Sequence, residues 1–177
     1  ESNFNIYDTD DQTKVVRNIL KELGATVQET TKKIVSLISK LKEDGVSPED
    51  YEKTVPSFLE NYKVIIETYK KYKIELKKNN AMDFSDLLIF TNELLDNPEI
   101  LEKVQDRYRY VMVDEYQDTN NIQYQIIKKI AKKHLNICVV GDEDQSIYGF
   151  RGANIQNILD FEKNLNNGQV RKNEVKF

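Results

Sequence analysis

Residues Tyr110–Asn120 read YVMVDEYQDTN, an apolar run that stops at two adjacent carboxylates, Asp114 and Glu115, with a third, Asp118, three residues beyond. A short continuous apolar run is the pattern of a strand covered on both faces. A second run, NICVVGD, occupies Asn136–Asp142. Between them Ile122, Ile126, Ile127 and Ile130 recur at helical spacing. Strand, helix and strand in that order predict a right-handed βαβ unit in a parallel sheet. In such sheets ligands bind beyond the carboxyl ends of the strands, where Asp114, Glu115 and Asp142 fall. The apolar residues bury the strand, and the acids are what it carries to the rim.

Upstream of Arg109 the period is helical throughout. Thr9–Gln12 (TDDQ) has capping-box spacing, with Thr9 as the expected cap, and Val16, Ile19, Leu20 and Leu23 follow on one face of a helix that should end at Gly24. Ile34, Leu37, Ile38 and Leu41 mark a second helix stopping before Gly45. Ser47–Asp50 (SPED) joins a capping hydroxyl to a proline at the first helical position and early acids. Tyr62, Ile65, Ile66, Tyr69, Tyr72 and Leu76 form the stripe of a long helix. Asp83 is the expected cap of the next, and Asn97–Glu99 (NPE) starts another. The predicted class is therefore α/β, a mostly helical N-terminal part followed by a partial parallel sheet with flanking helices.

The chain has 177 residues, 39% hydrophobic and 32% charged, enough to bury a core and too well patterned for disorder. No apolar run approaches the ~18 residues that span a bilayer, and ESNFNIYD has no signal-peptide character, so no membrane is expected and a cytoplasmic protein is. The single cysteine, Cys138, excludes an internal disulfide and reads as a core thiol within NICVV. Net charge is -4, yet lysines cluster at Lys70–Lys78 and Lys128–Lys133, which fits solvated helix faces and leaves room for a polyanionic partner. His134, closing a lysine-rich helix, is expected to cap that helix. An opening on Glu1 and a strand-like EVKF close suggest an excised piece.

Paired acids at a strand end suit metal-assisted phosphate hydrolysis, one holding hydrated Mg²⁺ and the other polarising the attacking water. A polar strand terminus capping the next helix, a two-carboxylate glycosidase and an acid/base pair all fit the same residues. The second strand runs into VVGDEDQSIYGFRGA (Val139–Ala153), which brings Gln145, Tyr148, Phe150 and Arg151 close together among turn-forming glycines. Aromatics beside an arginine can stack bases and neutralise phosphate; ordinary core packing is the alternative for Tyr148 and Phe150.

VDEYQDTNNIQYQII and VVGDEDQSIYGFRGA resemble motifs II and III of the UvrD/PcrA/Rep group of superfamily 1 DNA helicases, and FNIYDTDDQ and AMDFSDLL resemble segments that precede motif II there. The resemblance implies a piece of an ATP-dependent helicase moving 3′ to 5′ on single-stranded DNA and unwinding duplex at single-strand/duplex junctions. Residues 1–106 would be the helical insertion of the first motor domain, and 107–177 the second half of its RecA-like core. Carried over by position, Asp114 corresponds to the Mg²⁺ ligand and Glu115 to the catalytic base. Gln145 corresponds to the γ-phosphate sensor, so that Asp114, Glu115 and Gln145 together serve ATP. Tyr148, Phe150, Arg151 and Phe84 fall where the family contacts single-stranded DNA, while Gln117 and Asp118 take supporting roles. Tyr116 and Phe150 stand where Phe and Trp are frequent in relatives, and Phe150 offers the smaller stacking surface. No G-x-x-x-x-G-K-[ST] occurs, so the isolated chain is expected not to hydrolyse ATP. The competing reading is a non-catalytic helical nucleic-acid or protein interaction module with vestigial motor motifs.

Overall fold

The computed structural model describes residues 3–25, 28–55 and 62–141, and the chain divides into two compact units, Glu1–Phe90 and Thr91–Phe177. The first unit contains β1 (Asn5–Tyr7), α1 (Thr9–Glu22), α2 (Gln28–Glu43), α3 (Pro48–Thr54), α4 (Tyr62–Lys78) and β2 (Ala81–Asp83). Its core is the meeting of three predicted stripes. Val16, Ile19 and Leu20 of α1, Ile34, Val35, Ile38 and Leu41 of α2, and Tyr69, Tyr72 and Leu76 of α4 are all buried together. Burial at this scale, each large side chain contributing about 1.5–3 kcal/mol, holds helices that would be marginal alone.

The helix ends follow the sequence with one shift. The cap of α1 is Asp8, whose Oδ1 accepts from the Asp11 N–H at 2.9 Å, and not Thr9, which is already the first helical residue. A carboxylate one position earlier meets the donor one position earlier and also suits the positive helix N-terminus. At the far end, Gly24 (φ 69°) turns left-handed while the Ala25 N–H reaches the Leu20 carbonyl, and Gly45 (φ 70°) does the same for α2 through Val46 and Leu41. Ser47 caps α3 with Pro48 next to it, as SPED predicts.

Two short elements escaped the pattern. β1 and β2 pair in parallel, Asn5 with Ala81 and Tyr7 with Asp83, in a stretch that reads as helical punctuation. Strands of three residues are too short for a period to register.

Helix α5 (Phe84–Leu94) runs across the division between the units, and the second unit continues with α6 (Pro98–Arg107), β3 (Val111–Val113), α7 (Asn121–Ala131) and β4 (Ile137–Val139). β3 and β4 pair in parallel, Val111 with Ile137 and Val113 with Val139, on either side of the α7 crossover. The parallel strand–helix–strand reading therefore holds. The expectation of cover on both faces does not: Met112 is 80% exposed and Cys138, on the same face, is exposed as well, so the cysteine is no core thiol. The crossover helix α7 can cover only one face of this pair of strands.

Helices α6 and α7 are stitched by polar contacts: Gln105 Nε2 donates to the Lys129 carbonyl at 2.7 Å, and Lys133 pairs with Asp106 at 2.6 Å. The hydrogen bond to Lys133 holds the Asp106 carboxyl below the usual range. His134 Nε2 lies 3.1 Å from the Gln105 carbonyl, so it serves the last turn of α6 and not its own helix. The lysine runs are partly tied up in the same way, Lys70 on Glu52 and Lys71 on Glu22.

Candidate functional site

β3 ends at Val113, and the next two residues are the acids. Asp114 and Glu115 are both exposed. Asp114 Oδ1 accepts from the Glu115 N–H at 2.9 Å, which turns the first carboxylate toward the backbone that follows it. Glu115 has left-handed backbone, φ 51° and ψ 41°. For a residue with a Cβ this conformation is unfavourable, and it persists only where its surroundings enforce it. Here they do: the Tyr116 N–H bonds to the Val140 carbonyl at 2.9 Å, and the Val140 N–H to the Val113 carbonyl at 2.8 Å, which extends the β3–β4 ladder past the point where β3 has turned away.

A single 3₁₀ turn, Tyr116–Asp118, follows, and its Tyr116 and Gln117 side chains are buried. Burial pushes the Tyr116 hydroxyl up to about 12, with Tyr124 adding to the effect, so the ring is a neutral packing element at physiological pH. Gln117 Nε2 donates to Glu115 Oε2 at 2.6 Å. Asn120 then starts α7 with a full capping box, its side chain accepting from the Gln123 N–H and the Gln123 side chain accepting from its own. The order is thus strand, acids, tight turn, capped helix, and each part fixes the direction of the next.

Magnesium commonly binds through one or two carboxylates and keeps several waters and substrate phosphates for the remainder of its shell. An exposed acid at a strand end, Asp114, fits that mode. Among the described residues no group of three or more histidine, cysteine or acidic side chains could hold a metal.

Phe84 lies in the first unit, at the first position of α5, with its ring 55% exposed. The residue before it is anchored in a buried charge cluster. Asp83 Oδ1 caps α5 by accepting from the Asp86 N–H at 2.9 Å, as expected. Its other oxygen accepts from Lys42 Nζ at 2.6 Å and from the Tyr72 hydroxyl at 3.0 Å. Lys42 also pairs with Asp86 at 2.7 Å, and Lys42 and Asp83 are only 5% and 1% exposed. Burial holds the Asp86 carboxyl above its usual range against the opposing pull of Lys42.

Of the site residues the sequence singles out, Asp114 and Glu115 stand side by side at the strand end and Phe84 is exposed at a helix start. Asp142, Gln145, Tyr148, Phe150 and Arg151 lie outside the described residues. Sequence reasoning missed the role of Lys42, 41 residues from its partner Asp83, and the hydrogen bond between Gln117 and Glu115. It read Gly141 as a turn glycine and missed its close approach to the Tyr116–Gln117 turn. No sequence period encodes the meetings of Lys42 and Gly141 with their distant partners, and the Gln117–Glu115 bond depends on the left-handed turn at Glu115.

Among the described residues no helix is long and apolar enough to cross a membrane. The family model for the UvrD/REP helicase N-terminal domain matches residues 1–166. The chain is 43% identical to the ATP-dependent DNA helicase PcrA of Bacillus subtilis over 95% of its own length and 23% of that relative's. It is 44% identical to the ATP-dependent DNA helicase PcrA of Staphylococcus epidermidis over 92% of its length and 22% of the relative's, and 42% identical to that of Staphylococcus aureus over the same shares. The chain therefore spans less than a quarter of the curated relatives it matches.

Proposed function

Since the chain belongs to the UvrD/REP helicase N-terminal domain family, we propose that the protein containing it is an ATP-dependent DNA helicase that moves 3′ to 5′ along single-stranded DNA and opens duplex at single-strand/duplex junctions using Mg²⁺-ATP. The observation that carries this reading is the pair Asp114–Glu115 at the carboxyl end of a parallel strand, with the backbone of Glu115 held left-handed by the neighbouring strand. In this reading Asp114 holds the hydrated cation, which when bound neutralises charge on the transferring phosphate. Glu115 takes the proton of the attacking water. Gln145 senses the γ-phosphate, and Tyr148, Phe150, Arg151 and Phe84 contact the single strand. The chain contains no phosphate-binding lysine loop of its own, so taken alone it hydrolyses no ATP.

Residues 1–106 then form the helical insertion of the first motor domain and 107–177 the second half of its RecA-like core, which is supported by the change from helical to strand–helix–strand order at Val111. The cytoplasm is the compartment such a protein would occupy.

Tailed duplexes test the function directly. With Mg²⁺-ATP the full-length protein should displace the strand of a 3′-tailed duplex and leave a 5′-tailed or blunt one intact. Equal unwinding from either tail would refute the polarity, and none from any substrate would refute the helicase.

A separate expectation concerns the DNA contacts. If Phe150 stacks on a base, Phe150→Ala weakens single-strand binding by ~1–3 kcal/mol with little change in melting temperature. If it is core, the same change costs ~3–5 kcal/mol of stability and the folded fraction binds normally. Arg151→Ala should reduce the slope of log affinity against log salt by about 0.7 if it holds one phosphate.

A further inference from the structure

Glu115 is exposed, and a glutamate in that setting ordinarily samples several rotamers. One that must meet a single water molecule has to be held. The turn after it supplies the holding group. Gln117 is 2% exposed, and its Nε2 donates to Glu115 Oε2 at 2.6 Å. An amide donating to a carboxylate from a buried position forms a charge-assisted bond with little competition from water. The turn itself makes this reach possible: the Asp118 N–H bonds to the Glu115 carbonyl at 2.9 Å, which curls the chain so that residues two apart can meet through their side chains.

The other end of the Gln117 amide abuts the neighbouring strand's exit. A Cβ built on Gly141, two residues past β4, would lie 2.6 Å from Gln117 Oε1 and 3.3 Å from the Tyr116 and Gln117 backbone nitrogens. Real Cβ atoms do not approach so closely. The side-chain amide is the part that could yield to such a methyl, so any side chain at 141 would act on Gln117 first. We propose that Gln117 is a positioning residue for Glu115, and that Gly141 is glycine because the Gln117 amide needs the space a side chain there would fill. The reading rests on Glu115 being the group that activates water. It makes the exit of β4 a determinant of where the carboxylate on β3's side points.

The test uses the full-length protein, with steady-state ATPase on saturating single-stranded DNA, affinity for a fluorescent ADP, and melting temperature measured side by side. Gln117→Met keeps length and apolar bulk and removes the donor. Because misplacing a reacting group by about 1 Å is worth up to ~10²-fold, and supporting residues around a site are typically worth ~10–100-fold, kcat should fall within that range. KM for ATP, fluorescent-ADP affinity and melting temperature should stay close to wild type. Gly141→Ala should give the same signature from a different strand. In a Glu115→Gln background, Gln117→Met should add nothing further to the loss, since the carboxylate it positions is gone.

Unchanged kcat in Gln117→Met overturns the proposal. So does a fall in kcat matched by falls in nucleotide affinity and melting temperature, which would make Gln117 a packing residue, or a loss in Gly141→Ala that multiplies with that of Gln117→Met. If Glu115→Gln itself turns over ATP normally, the water is activated elsewhere and the assignment of Glu115 fails instead. The two failures are thus distinguishable.

Discussion

Glu115→Gln in the full-length protein is expected to bind Mg²⁺-ATP about as well as wild type and to hydrolyse it ~10²–10⁴-fold more slowly, the usual worth of a positioned general base. The substitution preserves length, and the new amide can still meet the Gln117 side chain by turning its oxygen toward the donor that now reaches Oε2. What disappears is the capacity to take a proton. Rapid-quench measurement of the hydrolysis step, alongside nucleotide affinity, separates this from a binding defect. Near-normal single-turnover hydrolysis would show that another group accepts the proton. Loss of nucleotide binding in proportion to turnover would show instead that the backbone at this left-handed position had been disturbed.

A comparably large effect is expected far from the acids, at Lys42. Lys42→Met should destabilise the first unit by ~3–5 kcal/mol, because it leaves the Asp83 and Asp86 carboxylates buried without their counter-charge. The attraction lost is only part of this cost, since each uncompensated carboxylate also keeps its desolvation penalty. The pH dependence gives the effect a signature. Removing the lysine takes away the pull that opposes burial at Asp86, so the folded-state proton affinity of that carboxyl rises further above that of the unfolded chain. Stability then increases as pH falls through the raised titration, so the deficit of the variant should shrink as pH is lowered from neutral into the acid range. Thermal unfolding across that range checks the sign. A deficit that grows in acid would mean that the carboxylates are not the source of the loss. Because Asp83 also caps α5, the exposed Phe84 ring at its first position should become less ordered in the same variant.

The two expectations also differ in how far the sequence foreshadows them. Asp114 and Glu115 announce themselves, since an apolar run ending in acids can be read without knowing what lies beside it. The charge cluster cannot be read that way. Lys42 looks like one more residue of a lysine-rich helix, Asp83 like a helix cap and Tyr72 like a member of an apolar stripe, and each description is locally correct. Only the packing of α2, α4 and the start of α5 makes them one buried network. The lysine runs likewise read as solvated faces, although Lys70 and Lys129 reach across to acids on other elements.

By itself, the sequence determined the elements whose cause is local. Helical stripes at Val16–Leu20, Ile34–Leu41 and Tyr62–Leu76, the stops at Gly24 and Gly45, the proline starts at Pro48 and Pro98, and the parallel strand–helix–strand at β3, α7 and β4 all follow from side-chain period and from which residues tolerate a given φ. Tertiary structure alone decided the rest: the β1–β2 pairing of segments 76 residues apart, the exposure of Met112 and Cys138 on one face of the sheet, the transfer of His134 to another helix's last turn, and the contact of Gly141 with the turn that holds Glu115. Period and propensity act over a turn of helix or a few residues of strand, whereas burial, ion pairing and close backbone approach depend on which distant segment arrives at the same place.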